Sequence, residues 1–362
     1  MSGHRLPLGP FWLGLALGPL GAILAGSGMP QLNPILRVDA DCTALAFSPD
    51  GTRVAYAVRR VITVRRVDMQ RDDIWIATLD GKRKRIVNGE QIVQSPVPFS
   101  YAIRLLRWSA DGSRLTVEMR TSAMIDERGN TEEGVATLLV DETGKEIKIQ
   151  GADSIIPAGV NAAWLGDGVT IVYLREAVKP ALLFSIHTVR PVAGRGAHLL
   201  EDRTFVAAAW DARRQMGVAI ERDQSFLQPP KLVRVDLVKH TRQELAELDS
   251  YAGYLTISPT GQKAAYFVDP GTLEVRGLNE PGKPVRVKLA LAPYLWAQDE
   301  SRVLLRRGDR RSGNLVWVRL PDGEVTTLLG DLTFRDFELS PDGKWIAVTQ
   351  PGTRALLVYP VQ

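Results

Sequence analysis

Cysteine is almost missing from this chain: Cys42 is the only one in 362 residues. No disulfide can form within the molecule, although an oxidising compartment stays compatible with the composition. Cys42 follows Asp39-Ala40-Asp41, which is not a lipoprotein cleavage box, and it reads as a small buried hydrophobe beside the first strand. Histidine is scarce too. Beyond His4 there are only His187, His198 and His240, and they lack the close spacing of a metal set. No G-x-S-x-G elbow occurs, and the nearest stretch, Gly151-Ala152-Asp153-Ser154, has the wrong spacing. The sequence therefore assigns no catalytic residue, no metal ligand and no cofactor motif. A strong excess of one charge is also absent, with Lys+Arg 45 against Asp+Glu 41 and a net charge of +4. That spread-out balance gives no reason to expect nucleic acid as a partner. The one basic run, "GKRKR" (81–85), has no aromatic companions, and beside Asp80 it reads as a solvated hairpin edge that discourages strand pairing.

What is present begins with a targeting pattern. His4 and Arg5 precede an apolar run over 6–24, and Ala25, Gly26, Ser27 and Gly28 supply small residues after it. Basic, apolar and small residues in that order are expected of an export signal over 1–27, with cleavage after Ala25 or Ser27; the other reading is a retained N-terminal anchor. Three prolines and several glycines make the run short for a spanning helix. The expected location is the periplasm or the exterior of a bacterial cell envelope. Membrane contact is expected only if the segment is retained.

The rest of the chain is a repeat. "AFSPDGTRVAYAV" (46–58) has relatives in "RWSADGSRLTVEM" (107–119), "AWLGDGVTIVYL" (163–174), "TISPTGQKAAYFV" (256–268) and "ELSPDGKWIAVTQ" (338–350). Two degenerate copies, "AWDARRQMGVAI" (209–220) and "LWAQDESRVLLR" (295–306), complete a series of seven. The large residue before each turn anchors the alignment at Phe47, Trp108, Trp164, Trp210, Ile257, Trp296 and Leu339, with gaps of 61, 56, 46, 47, 39 and 43. In each unit the polar turn with its glycine joins two apolar-alternating runs, which is the period of strands. Further pairs such as "DIWIATLDGKRKRIV" (73–87) and "LVWVRLPDGEVTTLL" (315–329) bring most units to four strands. Four short strands repeated radially predict an all-β fold, a seven-bladed β-propeller occupying 28–362 as a single domain. The last unit supplies three strands, and the orphan apolar segment 32–38 is expected to complete it and close the ring.

The S-P-D-G hairpins and the "I-W-I-A-x-L-D-G" that follows the first one resemble the WD-like propeller repeats of the TolB type. They also resemble the N-terminal propeller of prolyl oligopeptidase-family peptidases, over roughly residues 40–350. The resemblance implies a propeller fold. That peptidase family carries its Ser, Asp and His on a separate hydrolase domain, for which this chain holds no elbow.

Long loops are where function is expected on such a scaffold. "RRVITVRRVDMQRD" (59–72) lies between the second and third strands of the first unit, and "RTSAMIDERGNTEE" (120–133) occupies the matching place in the second. The link "NGEQIVQSPVPFSY" (88–101) opens on the same face. Arg59, Arg65, Arg66, Arg71 and Arg120 are the candidate contacts for a partner's carboxylates, and Phe99 and Tyr101 are the candidate apolar anchors. The expected role is an exported, non-catalytic scaffold for a protein or peptide. The alternatives are an accessory propeller of a separate peptidase, or a lone propeller hydrolase. Shifted carboxylates clustered at the channel mouth would mark the lone enzyme. No cofactor is expected; carboxylates converging in the channel are where Ca²⁺ would bind.

Overall fold

The computed structural model describes residues 33–64, 66–91, 99–124, 130–149, 154–178, 183–191, 195–200, 203–211, 213–248, 253–279, 282–289, 292–308, 313–320, 322–350 and 353–361. The export segment expected over 1–27 lies outside them. Among the described residues there is no helix. Five four-stranded antiparallel sheets and one eight-stranded sheet are arranged as a β-propeller.

Local chemistry sets the hairpins. In the first sheet, Cys42–Phe47 pairs with Arg53–Val58 around a turn in which Ser48 Oγ donates to Asp50 Oδ1 at 2.5 Å. Gly51 takes φ +70° there, a conformation that a side chain resists. The same lock recurs as Ser109 to Asp111 and Ser340 to Asp342, each at 2.6 Å. Asp73–Thr78 and Arg83–Val87 complete the first sheet. Arg83–Val87 is its outer edge, and the side chains of 81–85 are exposed there, as expected of a solvated margin.

The second sheet runs from Phe99–Trp108 through Arg114–Met124 and Thr131–Asp141 to Ile155–Pro157. The last contains Asp336–Leu339, Trp345–Gln350 and Ala355–Pro360, and its fourth strand is Leu36–Asp39. Leu36 pairs with Val358 and Val38 with Leu356, antiparallel and in register. Leu36 and Val38 are 5% and 1% exposed. Each such burial stabilises by roughly 1.5–3 kcal/mol, so a four-residue strand is enough to fasten the two ends of the domain together.

The eight-stranded sheet was not expected. Leu183–Arg190 pairs with Arg195–Leu199 over five positions, but it also touches Phe205–Asp211 at the single pair Phe184–Phe205. That bridge merges what the repeat presents as the third and fourth units.

Tryptophan anchors join neighbouring units of the repeat. Trp108 Nε1 donates to Ala46 O at 3.1 Å, Trp210 Nε1 to Asn161 O at 2.6 Å, and Trp296 Nε1 to Thr256 Oγ1 at 2.9 Å. Each reaches back to the innermost strand of the preceding unit. Arg53 stacks over Trp108 and Arg114 over Trp164, both at 4.9 Å, one unit onward. Cys42 is buried, and burial pushes its thiol up to about 12, so it behaves as the small apolar residue the sequence suggested.

Candidate functional site

In antiparallel four-strand units that all start at the channel, the connections from second to third strand lie on one face of the ring. The links from one unit to the next lie on that face too. The first of these long connections folds as a separate hairpin, Val61–Val64 with Val67–Gln70. The second is no separate loop: Arg114–Met124 and Thr131–Asp141 extend their pairing out to Met124 and Thr131.

Asp72 ties this rim together. Its buried carboxylate accepts from Gln70 Nε2 at 2.8 Å, Ile103 N at 2.9 Å and Thr43 Oγ1 at 3.2 Å, while burial raises its pKa. Ser100 Oγ lies 3.0 Å from Gln70 N and 3.1 Å from Gln70 O. The Tyr101 hydroxyl sits 2.8 Å from Gly89 O and 3.1 Å from Asp72 O, and Arg71 Nε donates to Phe99 O at 2.7 Å. Hairpin, link and innermost strand of the second sheet therefore form one hydrogen-bonded block.

This divides the sequence-named residues into two sets. Tyr101 is fully buried and Arg71 is 7% exposed, so both act inside the block, and Phe99 packs partly buried against the core. Burial pushes the Tyr101 hydroxyl far up. They brace the rim and do not present themselves to a partner. Arg59, Arg66 and Arg120 are exposed. Arg59 pairs with Asp41 at 3.6 Å, Arg120 pairs with Glu133, and Arg66 stands at the hairpin turn with φ +68°. Arg65 lies outside the described residues, as does most of the link's middle (92–98).

The channel wall holds charges that the sequence did not single out. At the position just before each anchor stand Ala46, Arg107, Ala163, Ala209, Thr256, Leu295 and Glu338. Two of the seven are charged, and they have opposite signs. Arg107 Nη1 donates to Ala162 O at 3.0 Å and Nη2 to Asn161 Oδ1 at 3.0 Å, while Glu118 Oε2 accepts from Asn161 N at 2.7 Å. Glu338 shares the innermost strand of the last sheet with Asp336, two residues earlier and on the same side. Burial pushes Glu338 up to about 8; the Asp336 charge adds to that, and Arg107 opposes it. Burial likewise pushes Asp336 up to about 6. Glu338 makes no hydrogen bond or ion pair with any described residue. The missed signal was positional: a charge at the repeat position that elsewhere takes small or neutral residues.

His187 and His198 stand opposite each other on paired strands, a neighbourhood that their spacing in the sequence does not reveal. His187 stacks on Tyr173 at 5.5 Å with its Nε2 2.8 Å from Ser185 Oγ, and His240 lies in a turn with φ +56°. Among the described residues no group of three His, Cys, Asp or Glu is placed to hold a metal ion. A cavity of about 590 Å³ opens among the turns of the third and fourth units, lined by Asp167, Arg190, Gln215 and His240 among others. It lies on the face opposite the rim.

No protein-family model and no curated protein sequence matches the chain. A chain in a structure described as the crystal structure of the mitotic checkpoint complex is similar, with a TM-score of 0.56 at 12% identity. The match covers 95% of this chain and 100% of that one. TolB from Acinetobacter baumannii aligns with a TM-score of 0.43 at 12% identity, over 85% of this chain and 80% of its own. At such identity the first likeness is one of fold alone, in keeping with the β-propeller arrangement of the sheets.

Proposed function

We propose that this chain is an exported, non-catalytic β-propeller scaffold that binds a protein or peptide over the rim of its first two units. The observation that carries the reading is the braced rim: Arg59, Arg66 and Arg120 are exposed on a block fixed by Asp72, Tyr101 and Arg71. Arginines on rigid backing lose little freedom when they meet a carboxylate. We count seven blades, taking the eight-stranded sheet as two that touch at Phe184–Phe205, and we place the protein in the cell envelope on the strength of the N-terminal pattern. Capture from envelope extract tests the rim. Arg66→Ala with Arg120→Ala is expected to lose the partner recovered by wild type without lowering the melting temperature. Unchanged recovery overturns the reading.

One observation favours a second reading. Asp336 and Glu338 are carboxylates shifted by burial on the innermost strand, the feature by which a lone propeller hydrolase is to be told from a scaffold. Hydrolytic turnover by the purified chain, abolished in Glu338→Gln, would establish it in place of the scaffold. A third arrangement, an accessory propeller whose hydrolase is supplied by another chain, rests on the sequence resemblance of the repeats alone.

A further inference from the structure

We infer that the partner segment is acidic, carries an apolar residue, and lies across the channel mouth from the rim to the far side of the ring. The inference rests on the binding reading above and names the partner that the whole face fits.

At one end stand uncompensated arginines. The pairing of Phe99–Trp108 with its neighbour shifts register between Ile103 and Leu105, which leaves Arg104 as the extra residue on the innermost strand. A bulge re-aims its side chain, and Arg104 is exposed. Neither Arg104 nor Arg66 makes an ion pair or hydrogen bond with any described residue. Asp41 is shared by Arg59 at 3.6 Å and Arg335 at 3.9 Å. Two arginines on one aspartate, with Arg104 and Arg66 unpaired, leave this part of the face an excess of positive charge, and charge complementarity selects an acidic occupant.

At the other end the same face becomes apolar. The connection between Met216–Glu221 and Lys231–Asp236 joins second to third strand and so opens on the rim's face. At its tip Leu227 is 84% exposed and Phe226 is 41% exposed. Phe226 holds φ +58°, a left-handed conformation that a bulky residue resists. Arg222 stacks on its ring at 4.7 Å, and Ser225 Oγ accepts from Leu227 N at 3.2 Å. Tyr254, where the next innermost strand begins, is 48% exposed with φ +52°. Phe226 and Tyr254 are thus exposed aromatics in left-handed backbone, and Leu227 is exposed next to the first of them. They supply the apolar contact, and the arginines supply the charge.

The test uses fluorescence anisotropy with three probes. These are a labelled peptide of glutamates around a central Leu-Phe, the same peptide with lysines for glutamates, and phosphatidylglycerol vesicles. The acidic peptide is expected to bind wild type and the lysine peptide not to. Affinity should fall about tenfold in Arg104→Glu, in Leu227→Ser, and between about 50 and 300 mM salt, where exposed charges are screened. Melting temperatures should not change. No binding of the acidic peptide, equal binding of the lysine peptide, or indifference to Arg104→Glu overturns the inference. Vesicle binding that needs Leu227 without peptide binding also overturns it, in favour of a membrane surface. If Arg104→Glu leaves envelope capture intact while Arg66→Ala with Arg120→Ala abolishes it, this inference fails and the rim reading stands.

Discussion

Val38→Asp is expected to cost about 3–5 kcal/mol, the scale of an uncompensated charge placed in a buried site. Val38 is 1% exposed, paired with Leu356 and packed in one cluster with Leu45, Tyr56 and Val358. Domains are stable by about 5–15 kcal/mol in total, so one residue near the start of the described chain should remove a large share of the stability. Arg37→Gln is the control. Arg37 is exposed and its ion pair with Asp39 is open to solvent, so its loss should stay within about 0.5 kcal/mol. Urea titration of both variants checks the pair. Equal midpoints would mean that Leu36–Asp39 does not fasten the ring.

Glu338→Gln should produce the second large effect, with a sign that depends on pH. In the unfolded chain Glu338 takes its ordinary value of 4.5, and in the fold it titrates near 8. Between those values the folded protein holds a proton that the unfolded chain has released, so wild-type stability falls as pH rises from about 4.5 to about 8 and then levels. Asp336 adds a smaller fall between 3.8 and about 6. The glutamine variant keeps the second fall and loses the first. It should match wild type at pH 4 and exceed it by about 2–4 kcal/mol at pH 9. Parallel stability profiles for the two proteins would show that Glu338 is solvated like a surface carboxylate.

The repeat was legible because its parts are local. Ser48, Asp50 and Gly51 make their turn within four residues, and the same three types recur at 109–112 and 340–343. The anchors were legible because a tryptophan at a fixed place before each turn needs a fixed neighbour, and Trp108, Trp210 and Trp296 find one on the preceding unit. Closure by the N-terminal segment followed from counting: three strands in the last unit and one apolar run left over. What failed to show was non-local. Tyr101 and Arg71 sit in loop-rich sequence, yet the hairpin folds back and encloses them. Arg107 and Glu338 are 231 positions apart in the chain, and only the closed ring brings their charges to bear on each other. The Phe184–Phe205 bridge depends on the spacing of two sheets, which no sequence period encodes.

A cross-link across the seam tests the central claim most directly, because the rim and the channel both require the two ends of the domain to share a sheet. Arg37 and Leu357 are opposed partners there. In a Cys42→Ala background, Arg37→Cys with Leu357→Cys should oxidise to an intramolecular disulfide, read as loss of two free thiols in the intact, monomeric protein. Two thiols that stay reduced while the strand signature in circular dichroism persists would place residues 36–39 elsewhere, and the closed ring would be wrong.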